Sequence, residues 1–242
     1  MDLKETFLST FNEIESYLRI EYNDGRFSES SFMGTLFRIR GKKTNPIIAQ
    51  RDHFETLSQA AQLRNLMVHN DDVAMPTPEF LQKFQDTVNR IVHPKRVEEV
   101  MQPIRKMKTA TLDWTVEAMI QMMKEHGYSN IPVVENHRLK GVFTERTLTH
   151  YFMLTDHSDT ITKSMTCADL IDAMDLDDDP TRYFDFIPRD FNLDEALAAF
   201  GRDLEEDKEL EILFVTEHGL KSEAILGIVT IWDLKQAFLG GE

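Results

Sequence analysis

Cysteine is almost missing from this 242-residue chain, Cys167 being the only one. A single thiol excludes an internal disulfide and points to a reducing compartment. Long apolar runs are missing too, and nothing approaches the ~20 residues that a membrane-spanning helix needs. The first residues, Met1-Asp2-Leu3-Lys4-Glu5, are polar and acidic where a secretory signal is basic and then apolar. The expectation is a cytoplasmic protein with no membrane partner. Nucleophile-elbow and phosphate-binding glycine-loop motifs are absent, and His126, His137, His150 and His157 lack metal-ligand spacing. Asp175 to Asp179 sets four carboxylates ahead of Pro180. Without the glycine and distal glutamate of an EF-hand, that stretch reads as a solvated linker. Neither a metal nor a resident cofactor is expected.

Positive charge is scarce as well: 27 Lys and Arg against 42 Asp and Glu leave a formal net charge of −15. An acidic surface repels phosphates, which argues against nucleic acid for the chain as a whole. The deficit is uneven. Residues 1–95 hold 12 cations against 13 acids, whereas residues 96–242 hold 15 against 29. The near-neutral first part contains a basic cluster, Arg38, Arg40, Lys42 and Lys43, so RNA stays open as a partner there. The hydrophobic fraction of 41% supports globular domains rather than disorder.

Residues 1–95 read as a helical bundle. Phe7, Phe11, Ile14 and Leu18 form one apolar stripe at three- and four-residue spacing, and Asn23-Asp24-Gly25 ends that helix. A second helix is predicted over Ser31–Ile39. A third runs from about Pro46 to His69, its buried side supplied by Leu57, Ala60, Ala61, Leu63, Leu66 and Met67. Phe80, Phe84, Val88 and Val92 mark a fourth.

After residue 95 short β-rich runs alternate with amphipathic helices, and the pattern repeats. Val116 to Leu148 reads helix, strand Ile131–Val134, turn, strand Gly141–Thr144, helix from Thr147. Leu193 to Phe238 reads helix, strand Ile212–Val215, a longer hairpin over Glu217–Ala224, strand Gly227–Thr230, helix from Asp233. Each repeat closes on a corner where a glycine starts a buried strand, a threonine ends it, and a helix begins two or three residues on. The threonine hydroxyl and the first free helical N–H groups then converge on one spot, suited to a phosphate or ribose oxygen. An Asp three residues after the Thr can accept from both hydroxyls of a ribose.

Gly227-Ile228-Val229-Thr230-Ile231-Trp232-Asp233-Leu234 resembles the closing signature of a cystathionine-β-synthase (CBS) domain. Gly141-Val142-Phe143-Thr144-Glu145-Arg146-Thr147-Leu148 resembles a degenerate copy, and Asn130-Ile131-Pro132-Val133-Val134 resembles the family's preceding strand. The resemblance covers residues 97–242 and implies two clefts for adenosine-containing ligands. It implies that Thr230 contacts ribose or phosphate, Asp233 the ribose hydroxyls, and Ile187 with Pro188 the base. In the first copy Thr144 is kept but Thr147 replaces the Asp, which weakens that site for a nucleoside; Arg146 would remain to meet a phosphate. Taken singly, Thr230 and Asp233 also read as a helix cap and a favourable first-turn acid.

Leu63-Arg64-Asn65-Leu66-Met67-Val68-His69-Asn70 places Arg64 and His69 at the end of an otherwise apolar helix. Five positions span about 140° of rotation, so the two share no face unless the last turn distorts, which Asn70 permits. This segment resembles the Arg–His motif of the HEPN family. In that family's ribonucleases His acts on the 2′-hydroxyl or leaving group while Arg stabilises the phosphorane charge. Arg64 and His69 would hold those roles here, with Asn65 in support; a binding or dimerisation bundle is the open alternative.

The expected fold class is α+β: a HEPN-like helical bundle over 1–95, then a tandem CBS-domain pair over 96–165 and 166–242. The expected function is cytosolic regulation, in a homodimer, through an adenine nucleotide (AMP, ADP, ATP or cyclic di-AMP). The alternatives are a nucleotide-gated, metal-independent ribonuclease and a structural dimer with vestigial clefts.

Overall fold

A computed structural model describes residues 2–22, 31–69, 74–155, 160–174, 176, 184–205 and 210–239, with backbone alone at 69, 202–205 and 239. The Asn23-Asp24-Gly25 terminator and most of the Asp175–Asp179 linker lie outside these residues. The chain divides into two compact units: Met1–Lys95 with Asn192–Glu195, and Arg96–Phe191 with Ala196–Glu242.

The first unit consists of α1 (Leu3–Tyr22), α2 (Phe32–Lys42), α3 (Pro46–Ala49), α4 (Arg51–His69) and α5 (Pro78–Val92). The α1 stripe Phe7, Phe11, Ile14 and Leu18 is buried, as its spacing predicts, and packs with Leu36, Ile39, Leu57 and Phe84. Ser31 caps α2 by accepting from the Gly34 N–H at 3.1 Å. The helix then runs past Ile39 to Lys42, where Lys43 in the left-handed region closes it.

The single helix predicted over 46–69 is two. Asn45 Oδ1 accepts from the N–H groups of Ile47 and Ile48 at 3.0 and 2.9 Å, and Gln50 turns extended before α4 begins. Through this break both isoleucines enter the core. Leu66, expected on the buried side of α4, is half exposed. Nine residues from Leu57 place it on the opposite side of the helix, about 180° away.

In the second unit, β1 (Gln102–Pro103) leads into a first repeat made of α6 (Val116–His126), β2 (Ile131–Glu135), β3 (Arg138–Phe143) and α7 (Glu145–Leu154). The second repeat comprises β4 (Phe184–Pro188), α8 (Leu193–Glu205, its first three residues counted with the first unit), β5 (Ile212–Thr216), β6 (Gly227–Val229) and α9 (Ile231–Leu239). Strands β2 and β3 form an antiparallel hairpin; the other sheet has the order β1-β6-β5-β4, with β4 and β5 parallel. The overall class is thus α+β, helices first and a mixed two-copy region after. Among the described residues no helix is long and apolar enough to cross a membrane.

The two repeats interlock. β1, which precedes the first repeat, pairs with β6 of the second. Met174, which precedes the second, lies against β3 of the first. Each crossing passes over a glycine of the closing strand. Gly227 opens β6, whereas Gly141 lies inside β3, which starts at Arg138 and not at Gly141 as the spacing predicts. A Cβ on Gly227 would stand 2.5 Å from the Gln102 carbonyl oxygen, and one on Gly141 would stand 2.7 Å from Met174 Cβ. Cys167, Leu170 and Met174, on the second side of a boundary at 165/166, fill the core built by α6, β2 and Phe143. Leu139 and Val142 share another core with Phe184, Ile212, Phe214 and Ile228.

Candidate functional site

Both strand-to-helix corners form, and in both the helix starts earlier than the spacing predicts. α7 begins at Glu145 and α9 at Ile231, directly after the threonine. The physical reason is that the residue three on accepts from the N–H of each threonine and so closes the first helical turn. At the first corner the Thr144 hydroxyl also accepts from the helix, whereas the Thr230 hydroxyl donates to Asp233. At the second corner Asp233 Oδ2 accepts from the Thr230 N–H at 2.8 Å and from Thr230 Oγ1 at 2.7 Å. Its other oxygen, Oδ1, accepts from the Gln102 side-chain amide at 3.3 Å, a long and weak bond. Gln102 arrives on β1, opposite Ile228. No local pattern marked Gln102, because it lies 131 residues from Asp233 and meets it only through the crossing strand.

At the first corner the same backbone carries different chemistry. Thr147 Oγ1 accepts from the Thr144 N–H at 2.9 Å and reaches the Val142 carbonyl at 3.4 Å, while Thr144 Oγ1 accepts from the Arg146 N–H at 3.1 Å. Thr144 and Thr147 are both buried. An open cleft of about 180 Å³ lies beside this corner, lined by Ser129, Asn130, Thr144, Glu145, Arg146 and Glu211. Arg146 sits 3.9 Å from Glu211, which also accepts from Asn130 at 2.8 Å. Two carboxylates against one guanidinium leave the cleft net negative, which disfavours a phosphate.

Ile187 is not brought to Thr230. It pairs with Val215, which pairs with Gly227. Thr230 follows Val229, three positions beyond Gly227, which is about 10 Å along the strand direction and two strands across the sheet from Ile187. The end of β4 is covered instead by the 217–224 hairpin: Gly219, in the left-handed region at φ 78°, packs on Pro188. Glu223 organises that hairpin. It accepts from the backbone N–H groups of His218 and Leu220 and from the His218 ring at 2.6 Å, and these bonds pull its carboxyl down to about 2. The same contact raises His218 above its ordinary value.

In the first unit, the Arg64 guanidinium sits 5.8 Å over the Phe11 ring. It lies on the side of α4 that faces the core, close in angle to Leu57 and Ala61. Asn65 is exposed. His69 closes α4, and its side chain lies outside the described residues.

Residues 97–154, the first repeat with its lead-in, match the model of the CBS domain family. No curated relative matches the sequence. Several solved structures resemble the chain at low identity. A Vibrio cholerae protein assigned to acetoin utilization (AcuB) matches with TM-score 0.44 and 17% identity, over 61% of this chain and 92% of its own. CBSX2, solved with AMP, matches with TM-score 0.44 and 19% identity, over 60% and 96%. The CBS domain of a bacterial CNNM/CorC family Mg2+ transporter, solved with ATP, matches with TM-score 0.41 and 20% identity, over 60% and 88%.

Proposed function

We propose that residues 96–242 sense an adenine nucleotide at the corner formed by Thr230, Asp233 and Gln102, and that occupancy regulates the helical residues 1–95 within a homodimer. The observation that carries this reading is the asymmetry of the Asp233 carboxylate. Oδ2 is tied down by Thr230, which fixes the group's direction, whereas Oδ1 holds only the long bond from Gln102. A ribose diol displaces that amide with two charge-assisted bonds. The N-terminus of α9, nine residues long, adds partial positive charge facing the phosphate. Thr144 and Arg146 form a second, weaker site in this reading.

Regulation then requires that the nucleotide bind one arrangement of the chain better than another. Calorimetric titration with AMP, ADP, ATP and cyclic di-AMP tests the proposal, AMP and ATP first. Saturable binding that Asp233→Ala weakens supports it; failure of all four to bind sinks it. The rival ribonuclease reading, with Arg64 and His69 acting on RNA, gains nothing from an Arg64 that faces Phe11. Its test is RNA cleavage lost in His69→Ala.

A further inference from the structure

The outer face of α2 is built unlike the rest of the helical unit. From Ser31 to Arg51 the chain carries five Lys or Arg and no Asp or Glu, in a protein of net charge −15. Thr35, Leu36 and Ile39 are buried. At about 100° per residue, that sets Phe37 in the middle of the opposite side. Phe37 is 60% exposed, and its ring is backed by the buried Phe54, centroid to centroid 5.2 Å.

One turn away on the same face stand Gly34 and Gly41, both exposed. Among the described residues, a side chain at Gly41 would meet nothing within 4 Å, and its φ is not in the left-handed region. Glycine inside a helix is destabilising, so packing and backbone geometry give Gly41 no reason. The glycines leave the backbone bare on either side of the Phe37 ring. Arg38 and Arg40 flank the ring to left and right, Arg38 positioned by a bond to the Tyr22 carbonyl at 3.0 Å and Arg40 by its place 4.3 Å over Phe54. Lys42 and Lys43 follow, both exposed.

A helix C-terminus favours cations in its last turn, which accounts for Arg40 and Lys42. It does not account for Phe37 or the glycines. A membrane surface fits poorly, because the remaining apolar residues of α2 face the bundle. An aromatic platform between cations matches the two features every single-stranded nucleic acid offers, an unpaired base and its flanking phosphates.

We propose that this face of α2 binds single-stranded nucleic acid, one base stacking on Phe37 while Arg38, Arg40, Lys42 and Lys43 hold phosphates. The site is separate from Arg64 and His69 and requires no cleavage. Fluorescence anisotropy of a labelled 20-nucleotide single strand, as RNA and as DNA of the same sequence, tests it on the full chain between 50 and 200 mM salt. Four phosphate contacts give a slope of log affinity against log salt of about −2.8. Phe37→Ala weakens binding roughly 5- to 150-fold, the range of base–aromatic stacking, with the slope unchanged. The double change Lys42→Ala and Lys43→Ala reduces the slope by about 1.4. All three positions are exposed, and circular dichroism checks that the variants remain folded. Absence of binding at 50 mM salt overturns the proposal. So does binding that both variants leave intact, or competition by polyglutamate as effective as by the unlabelled strand, which would mark a surface for an acidic protein instead.

Discussion

The corner at Thr144 and the corner at Thr230 share a backbone and differ in what they leave over. In each, a strand carrying a glycine passes under a crossing segment, a threonine precedes the next helix, and a side-chain oxygen three residues on accepts from the threonine N–H. Thr147 does this with one buried hydroxyl whose contacts all lie inside the fold. Asp233 does it with half of a carboxylate and keeps a charge and a second oxygen. The fold needs only an oxygen at this position. What exceeds that need at Asp233 is what a ligand can use. The surroundings widen the gap, because Glu145 and Glu211 make the first cleft negative whereas the second corner faces the neutral Gln102.

Asp233→Ala is expected to have the largest effect. Losing charge-assisted bonds to a ligand costs about 1.5–3 kcal/mol, roughly 10- to 150-fold in nucleotide affinity by calorimetry. Unchanged affinity would make the two corners chemically equivalent and dissolve the comparison. Next come the crossings: Gly227→Ala and Gly141→Ala each push a Cβ into a facing segment, and overpacking of this kind costs about 1–3 kcal/mol. Thermal melting reads both, and a cost at Gly227 with none at Gly141 would show that the interlock is one-sided.

A smaller effect is expected from Glu211→Gln, which keeps the shape of the first cleft and removes one negative charge. An exposed pair is worth about 0.2–1 kcal/mol, so phosphate affinity there should rise roughly 1.5- to 5-fold, read by titration with Asp233→Ala as background. A decrease would mean that Glu211 positions Arg146 for the ligand.

The smallest effect concerns the hairpins. The first repeat turns on Asn136-His137, both left-handed. The second is held by His218 and Glu223, with His218 raised above its ordinary 6.5 by that partner. A raised histidine stabilises the fold fully below its unfolded value and ceases to do so as pH rises through the folded one. Melting temperature should therefore decline slightly from pH 6 to 8, and Glu223→Gln should flatten that decline. A steeper fall in the variant would place its origin elsewhere.

Much of the fold was legible from periodicity. The α1 stripe and the doubled helix–strand–strand–helix order follow from where apolar residues recur. The break at Gln50 was not legible, since residues 46–69 keep helical composition across it and only the extended backbone of Gln50 separates the two helices. Leu66 shows the limit of composition, an apolar residue that the helix carries round to solvent. Of the corner, Thr230 and Asp233 could be read from local spacing. Gln102 could not, and the place of Ile187 on β4, two strands from β6, is set by a register that spacing does not encode.

The sequence by itself determined the number of repeats, their order and the inequality of Thr147 and Asp233, because these depend on residue type and on spacing within a few turns of chain. Tertiary structure alone decided what stands across from Asp233 and why residues 141 and 227 are glycine. Both answers come from segments distant in the chain that cross within a few ångströms. Such a crossing is set by packing of the whole unit, and a local pattern carries no record of it.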